Sequence, residues 1–261
     1  MTQESKKTST ERKYLFTRLT EIITASAVFC IAIGEIDGTI QSANHYYEKV
    51  ISEFTDTYDY EKLSKIHVGN TQHYLETLFG KPMVAKDLDE APNKTYKVNY
   101  YFTEKYLFTV FLLKERISAY TVLNFKDNFH PNVNKIENKK LGKFALSDLN
   151  NLVDYTLDSS ASMKSVLQVH EYGRQGFFRK YYYGYIDYAT KTLSNKKDLT
   201  LLRETANLEM MGDEAFEDEF LKMQRVFKPN LYGEGELTLM MIRKSLLTEL
   251  EFKSYFSREK E

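Results

Sequence analysis

The stretch from Leu63 to Phe125 constrains the chain most. Gly69 opens a turn, Asn70 or Thr71 can cap a helix, and Tyr74, Leu75, Leu78 and Phe79 form one apolar face before Gly80 and Pro82 stop it. Three aromatic and β-branched runs follow, Tyr96 to Phe102, Tyr106 to Lys114 and Ile117 to Phe125. Thr103-Glu-Lys and Glu115-Arg separate them as tight hairpin connections. A short helix feeding an antiparallel meander is the expected module. It holds no paired base, metal partner or phosphate cradle. If Gly80 takes a left-handed cap, Gly80→Val is expected to cost more than Gly80→Asn.

Length and charge bound the rest. With 261 residues the chain can bury a full core as one domain or two. A net charge of −1 excludes a global field that recruits nucleic acid or anionic lipid. Twenty Tyr and 17 Phe favour strands and aromatic cross-strand pairs. The single cysteine, Cys30, excludes an intramolecular disulfide and a cysteine zinc site; within its apolar surroundings it reads as a small buried hydrophobe.

Those surroundings are the run Ile22 to Gly34. As a helix rising about 1.5 Å per residue it spans roughly 20 Å, against ~30 Å of hydrocarbon, so flanking residues such as Leu15, Phe16, Leu19, Ile36 and Ile40 must contribute. Lys6, Lys7, Arg12, Lys13 and Arg18 precede it, and Glu35 and Asp37 follow. The expected reading is a single-pass anchor through residues 15–36 of the cell membrane, amino terminus cytoplasmic. A buried helix of a cytoplasmic protein is the alternative. Ile40, Ala43, Tyr47, Val50, Ile51, Phe54 and Tyr58 keep helical spacing beyond it, as a stalk.

The predicted fold class is α+β, in three parts: residues 1–40 as basic tail and anchor, 41–127 as stalk and helix-meander module, and 128–261 as a second strand pair with carboxy-terminal helices. Asn128 to Lys140 reads as a linker. Met163 to Tyr172 and Phe177 to Tyr188 form the second strand pair around Gly173-Arg-Gln-Gly176, and the two halves could share one sheet. Thr200 to Phe227 is helical with a break at Gly212 and an acidic exposed face. A final helix from Glu236 to Phe256 carries Leu239, Ile242, Leu246 and Leu250 at near-heptad spacing, a stripe that could pair copies of the chain.

Two likenesses rest on these residues. Ile66-His-Val-Gly69-Asn-Thr71 through Gly80-Lys-Pro82, with the strand Tyr96 to Phe102, resembles the small outer-membrane-assembly lipoprotein domain over less than a quarter of the chain. The chain lacks that family's lipobox cysteine, so neither lipid anchoring nor a role in outer-membrane assembly is implied. The same stretch, together with Val169-His-Glu171-Tyr172 and Tyr181-Tyr-Tyr-Gly184-Tyr185, is similar to an uncharacterised bacterial group with one amino-terminal membrane helix and a soluble α+β body. That resemblance implies membrane anchorage and no activity.

The chemistry-bearing residues are sparse. His45, His67, His73, His130 and His170 show no metal-ligand spacing, so neither metal nor cofactor is expected. His170 and Glu171 are neighbours on a strand and face opposite ways, which argues against an acid–base pair. Gly233-Glu-Gly235 is too short for a phosphate loop and reads as a turn. The candidate binding strip is Arg174, Phe177, Phe178, Arg179, Tyr181 and Tyr183, where cations interleave with aromatic rings. The resulting expectation is a membrane-anchored interaction protein without catalysis, binding a protein partner and not nucleic acid. The alternative is an effector enzyme, or a binder of single-stranded nucleic acid, using the His170 to Arg179 region.

Overall fold

A computed structural model describes residues 56–133, 138–189 and 196–256. The chain divides into two units, Met1–Tyr58 and Asp59–Glu261, and the second holds every described strand. The apolar run Ile22–Gly34 and the stalk positions Ile40 to Phe54 lie outside the described residues. Among the described residues no helix is long and apolar enough to cross a membrane.

Eight strands form one antiparallel sheet: β1 (Val84–Ala91), β2 (Lys94–Phe102), β3 (Tyr106–Leu113), β4 (Arg116–Asn124), β5 (Leu152–Ser159), β6 (Lys164–Glu171), β7 (Lys180–Ile186) and β8 (Leu231–Gly235). Their order is β1-β2-β3-β4-β8-β7-β6-β5. The first four form a meander and β5 to β7 form another. Strand β8 arrives last and pairs antiparallel with both β4 and β7, joining the two meanders into one sheet. The α+β class is therefore observed, with both halves in a single sheet.

Six α-helices are described: α1 (Thr57–Ser64), α2 (Gln72–Phe79), α3 (Lys196–Met211), α4 (Phe216–Val226), α5 (Leu239–Ser245) and α6 (Glu249–Phe256). Alternation along each strand sends side chains to two different cores. On β3, Tyr106, Phe108, Val110 and Leu112 join Leu63, Leu75, Leu202, Phe220 and Met223 from α1, α2, α3 and α4. Leu107 and Phe111 of the same strand join Leu239, Ile242, Phe252 and Phe256 from α5 and α6. Covering both faces explains why the strand reads as a continuous apolar run.

Helix α2 forms as its sequence suggests. The Thr71 hydroxyl accepts the Tyr74 N–H at 3.2 Å, Leu75 is fully buried, and the Gly80 N–H closes the last turn on the Glu76 carbonyl at 2.9 Å. The first expected hairpin connection falls at Thr103 to Lys105, and the second is Lys114-Glu115, at φ 50° and 61°, one residue earlier than the expected Glu115-Arg116 because Leu113 and Arg116 pair.

Several expectations are corrected. The meander has a fourth strand, β1, whose charges at Lys86, Asp87, Asp89 and Glu90 suit a sheet edge and hid its alternation. Gly233-Glu-Gly235 is strand β8 and not a turn. Added Cβ atoms on Gly233 and Gly235 would stand 2.3 Å from the Tyr120 carbonyl oxygen and 2.2 Å from the Ala119 Cβ, so glycine lets β4 and β8 approach. The last helix is two, interrupted where Leu246 is extended. Leu239 and Ile242 of its stripe are buried against the sheet, whereas Leu250 is 79% exposed, so the stripe does not form one continuous free face. The start of the linker is packed: Phe129 is fully buried, stacked between Tyr60 at 5.0 Å and Tyr106 at 5.2 Å.

Candidate functional site

Register across the middle of the sheet assembles a polar cluster on one face. Glu234 of β8 stands opposite Tyr120 of β4 on one side and Tyr181 of β7 on the other. Tyr232 lies two residues back on the same strand, hence on the same face. Arg179, the residue before β7, reaches Glu234 with Nη1 at 2.5 Å from Oε1. Both side chains are largely enclosed, so the pair is better shielded from solvent than a surface bridge.

These residues floor a cavity of about 520 Å³. Tyr60 and Leu63 of α1, the following Ile66 and His67, the segment His130 to Val133, and Lys140 also line it, and Gln175 and Phe177 line it from the β6–β7 connection. The His130 ring is fixed by Nδ1, which donates to the Leu141 carbonyl at 2.9 Å in the neutral form, leaving Nε2 as an acceptor. Burial raises the Tyr120, Tyr181 and Tyr232 phenols, and the Glu234 charge adds to it; Arg179 partly opposes the effect at Tyr181, which is pushed up to about 12. All three therefore keep their protons at neutral pH and can donate. The Tyr120 hydroxyl approaches Glu234 Oε2 at 3.4 Å, whereas those of Tyr181 and Tyr232 have no hydrogen-bond partner among the described residues.

Beside the cavity the β6–β7 connection ends in an aromatic tip. A 3-10 turn over Gly173–Gly176 leads to Phe177 and Phe178, exposed by 76% and 79%. Both have left-handed backbone, φ 55° and 57°, which is unusual for a bulky side chain. The loop is held by the Phe178 N–H on the Gly173 carbonyl at 2.8 Å and the Arg179 N–H on that of Gly176 at 3.0 Å. The Arg179 guanidinium lies 5.9 Å from the Phe177 ring centre, linking the tip to the Glu234 pair.

The sequence-derived strip is divided by this geometry. Phe177, Arg179 and Tyr181 meet at the cavity. Phe178 stands beside them on the tip, and Arg174 is exposed on the turn. Tyr183 is buried, edge-on to His170 at 5.4 Å and to Phe144 at 6.1 Å, so the structure places it in the core and away from the cavity lining. His170 is likewise buried: Nδ1 contacts the Asn150 carbonyl at 2.7 Å and Nε2 the Gln168 side-chain amide at 3.2 Å. Glu171 is exposed on the opposite side, so the strand places the two apart, and the cavity does not include His170. Among the described residues no three His, Cys, Asp or Glu side chains converge to hold a metal ion.

Sequence reasoning missed Glu234, Tyr120, Tyr232 and His130. The available signal was Gly233-Glu-Gly235 itself, since glycines that flank a charged residue in a strand mark a close backbone approach.

No protein-family model matches the chain, and no curated protein matches it. A solved structure of a presumed beta-lactamase inhibitor protein from Streptococcus mutans is similar at 16% identity over 48% of this chain and 86% of that one, with a TM-score of 0.23. A superposition of that quality supports no statement about this chain, and neither likeness read from the sequence becomes a family assignment.

Proposed function

We propose that the body is a protein-recognition module without catalysis, and that it grips its partner with the tip of the β6–β7 hairpin. One observation carries this reading: two adjacent phenylalanines are each more than three-quarters exposed on strained left-handed backbone. Apart from the Arg179 contact with the Phe177 ring, little burial offsets that cost, and exposed aromatic anchors are the usual centres of protein interfaces. Arg174 and Lys180 flank them, so the fitting partner has an apolar pocket with an acidic rim.

The test is the double variant Phe177→Ser/Phe178→Ser. Partner affinity should fall by about 2 kcal/mol or more, roughly thirtyfold in Kd, with the melting temperature held or raised. A lower melting temperature would make the rings structural, and unchanged partner binding would also end the reading.

The tether, in this proposal, is the apolar run Ile22–Gly34 with its basic leading flank. The protein is then expected to stay with membranes through an alkaline carbonate wash. Release into the wash would remove the anchor from the proposal.

A further inference from the structure

The cavity behind the tip carries more chemistry than a partner's side chain at the rim would use. Its described ionisable lining sets two permanent cations, Arg179 and Lys140, against one carboxylate, Glu234. The first cation is matched by that carboxylate at 2.5 Å. The Lys140 ammonium has no carboxylate partner among the described residues, and the Tyr181 and Tyr232 hydroxyls meet no protein acceptor there. Among the charged and phenolic groups of the lining, donors therefore outnumber anionic acceptors, in a space of about 520 Å³ within the range of small-molecule sites. Leu63, Ile66 and the tyrosine rings supply apolar wall. A ligand that satisfies this lining must accept several hydrogen bonds, carry negative charge and present a compact apolar body.

We propose that this cavity binds a small organic carboxylate, its carboxyl group facing Arg179, Lys140 and the hydroxyls of Tyr181 and Tyr232. Glu234 then acts as a placeholder. It holds the guanidinium in position while the site is empty and competes with the ligand for it when the site fills. This gives the site a signature that a cation site, with Glu234 and aromatic rings as its attraction, would reverse. The proposal does not depend on what the tip binds.

The test titrates the full chain with benzoate, benzyl alcohol and benzylamine, three probes of one ring and different charge, followed by tyrosine ring resonances. Benzoate should saturate with a Kd on the order of 1 mM, as expected for so small a ligand, and each of the other two should bind at least about tenfold more weakly. Glu234→Gln keeps the shape and removes the competing charge, so benzoate should bind several-fold tighter. Arg179→Gln should weaken benzoate about tenfold. Because that change leaves Glu234 enclosed without its cation, the variant can fail to fold; the exposed Lys140→Gln, which has no such burden, then decides by weakening benzoate several-fold. Absence of saturable benzoate binding, equal or tighter binding of either other probe, or weaker benzoate binding in Glu234→Gln would each overturn the proposal.

Discussion

At Gly80 the backbone leaves α2 through φ 74° and ψ −157°. That combination is outside the left-handed cap that asparagine tolerates and in a region open essentially to glycine alone. The expected ranking, with Gly80→Asn milder than Gly80→Val, is therefore replaced by near equality. An added Cβ would meet nothing within 4 Å, so the penalty is conformational and not steric. Gly80→Ala and Gly80→Asn should each lose about 1–3 kcal/mol in urea unfolding; an asparagine variant close to wild type would contradict the assignment. Phe177 and Phe178 pose the opposite case, because left-handed backbone is imposed on residues that resist it and whose rings gain little burial in return. Glycine signals of this kind are legible from sequence because they depend on nearest neighbours. The burial of His170 and Tyr183 was not, since Asn150 and Phe144 reach them through tertiary packing.

Among the elements, β8 matters most and was least visible. It is five residues long, contains two glycines and a glutamate, and lacks the aromatic alternation that revealed β2, β3, β4, β6 and β7. Its place in the sheet is set by close approach to β4 and not by propensity. Gly235→Ala should therefore force β4 and β8 apart, lowering stability by about 1–3 kcal/mol or more, although alanine is ordinarily the better residue in regular structure. Loss of amide-exchange protection along β4 and β7 together would localise the damage. Protection unchanged in both strands would show that the glycine is dispensable. The helices were easier to place, because α2 has its cap and stop, and α3 and α4 have their apolar spacing with Gly212 between them at φ 65°. The final helix was misjudged in extent because near-heptad spacing continues across the extended Leu246, and periodicity alone does not register a break.

Over the body as a whole, the cavity lies where the two paired strands most distant in sequence, β4 and β8, meet. Tyr120 and Glu234 are 114 residues apart in sequence, and only the insertion of β8 between β4 and β7 brings them together. The aromatic-basic strip was legible because its residues lie close together in sequence. The cavity that it borders was not, since half of its floor comes from strands that no local pattern relates. In the proposed function the tip is the point of partner contact, with the sheet as its rigid support. The most direct test replaces Phe178 of the full chain by a photo-crosslinking phenylalanine analogue in cells, with Leu250, equally exposed at 79%, as the control position. We expect one discrete adduct from position 178, lost when Phe177→Ser is added, and none from position 250. Adducts absent at 178, or identical from both positions, would contradict the account.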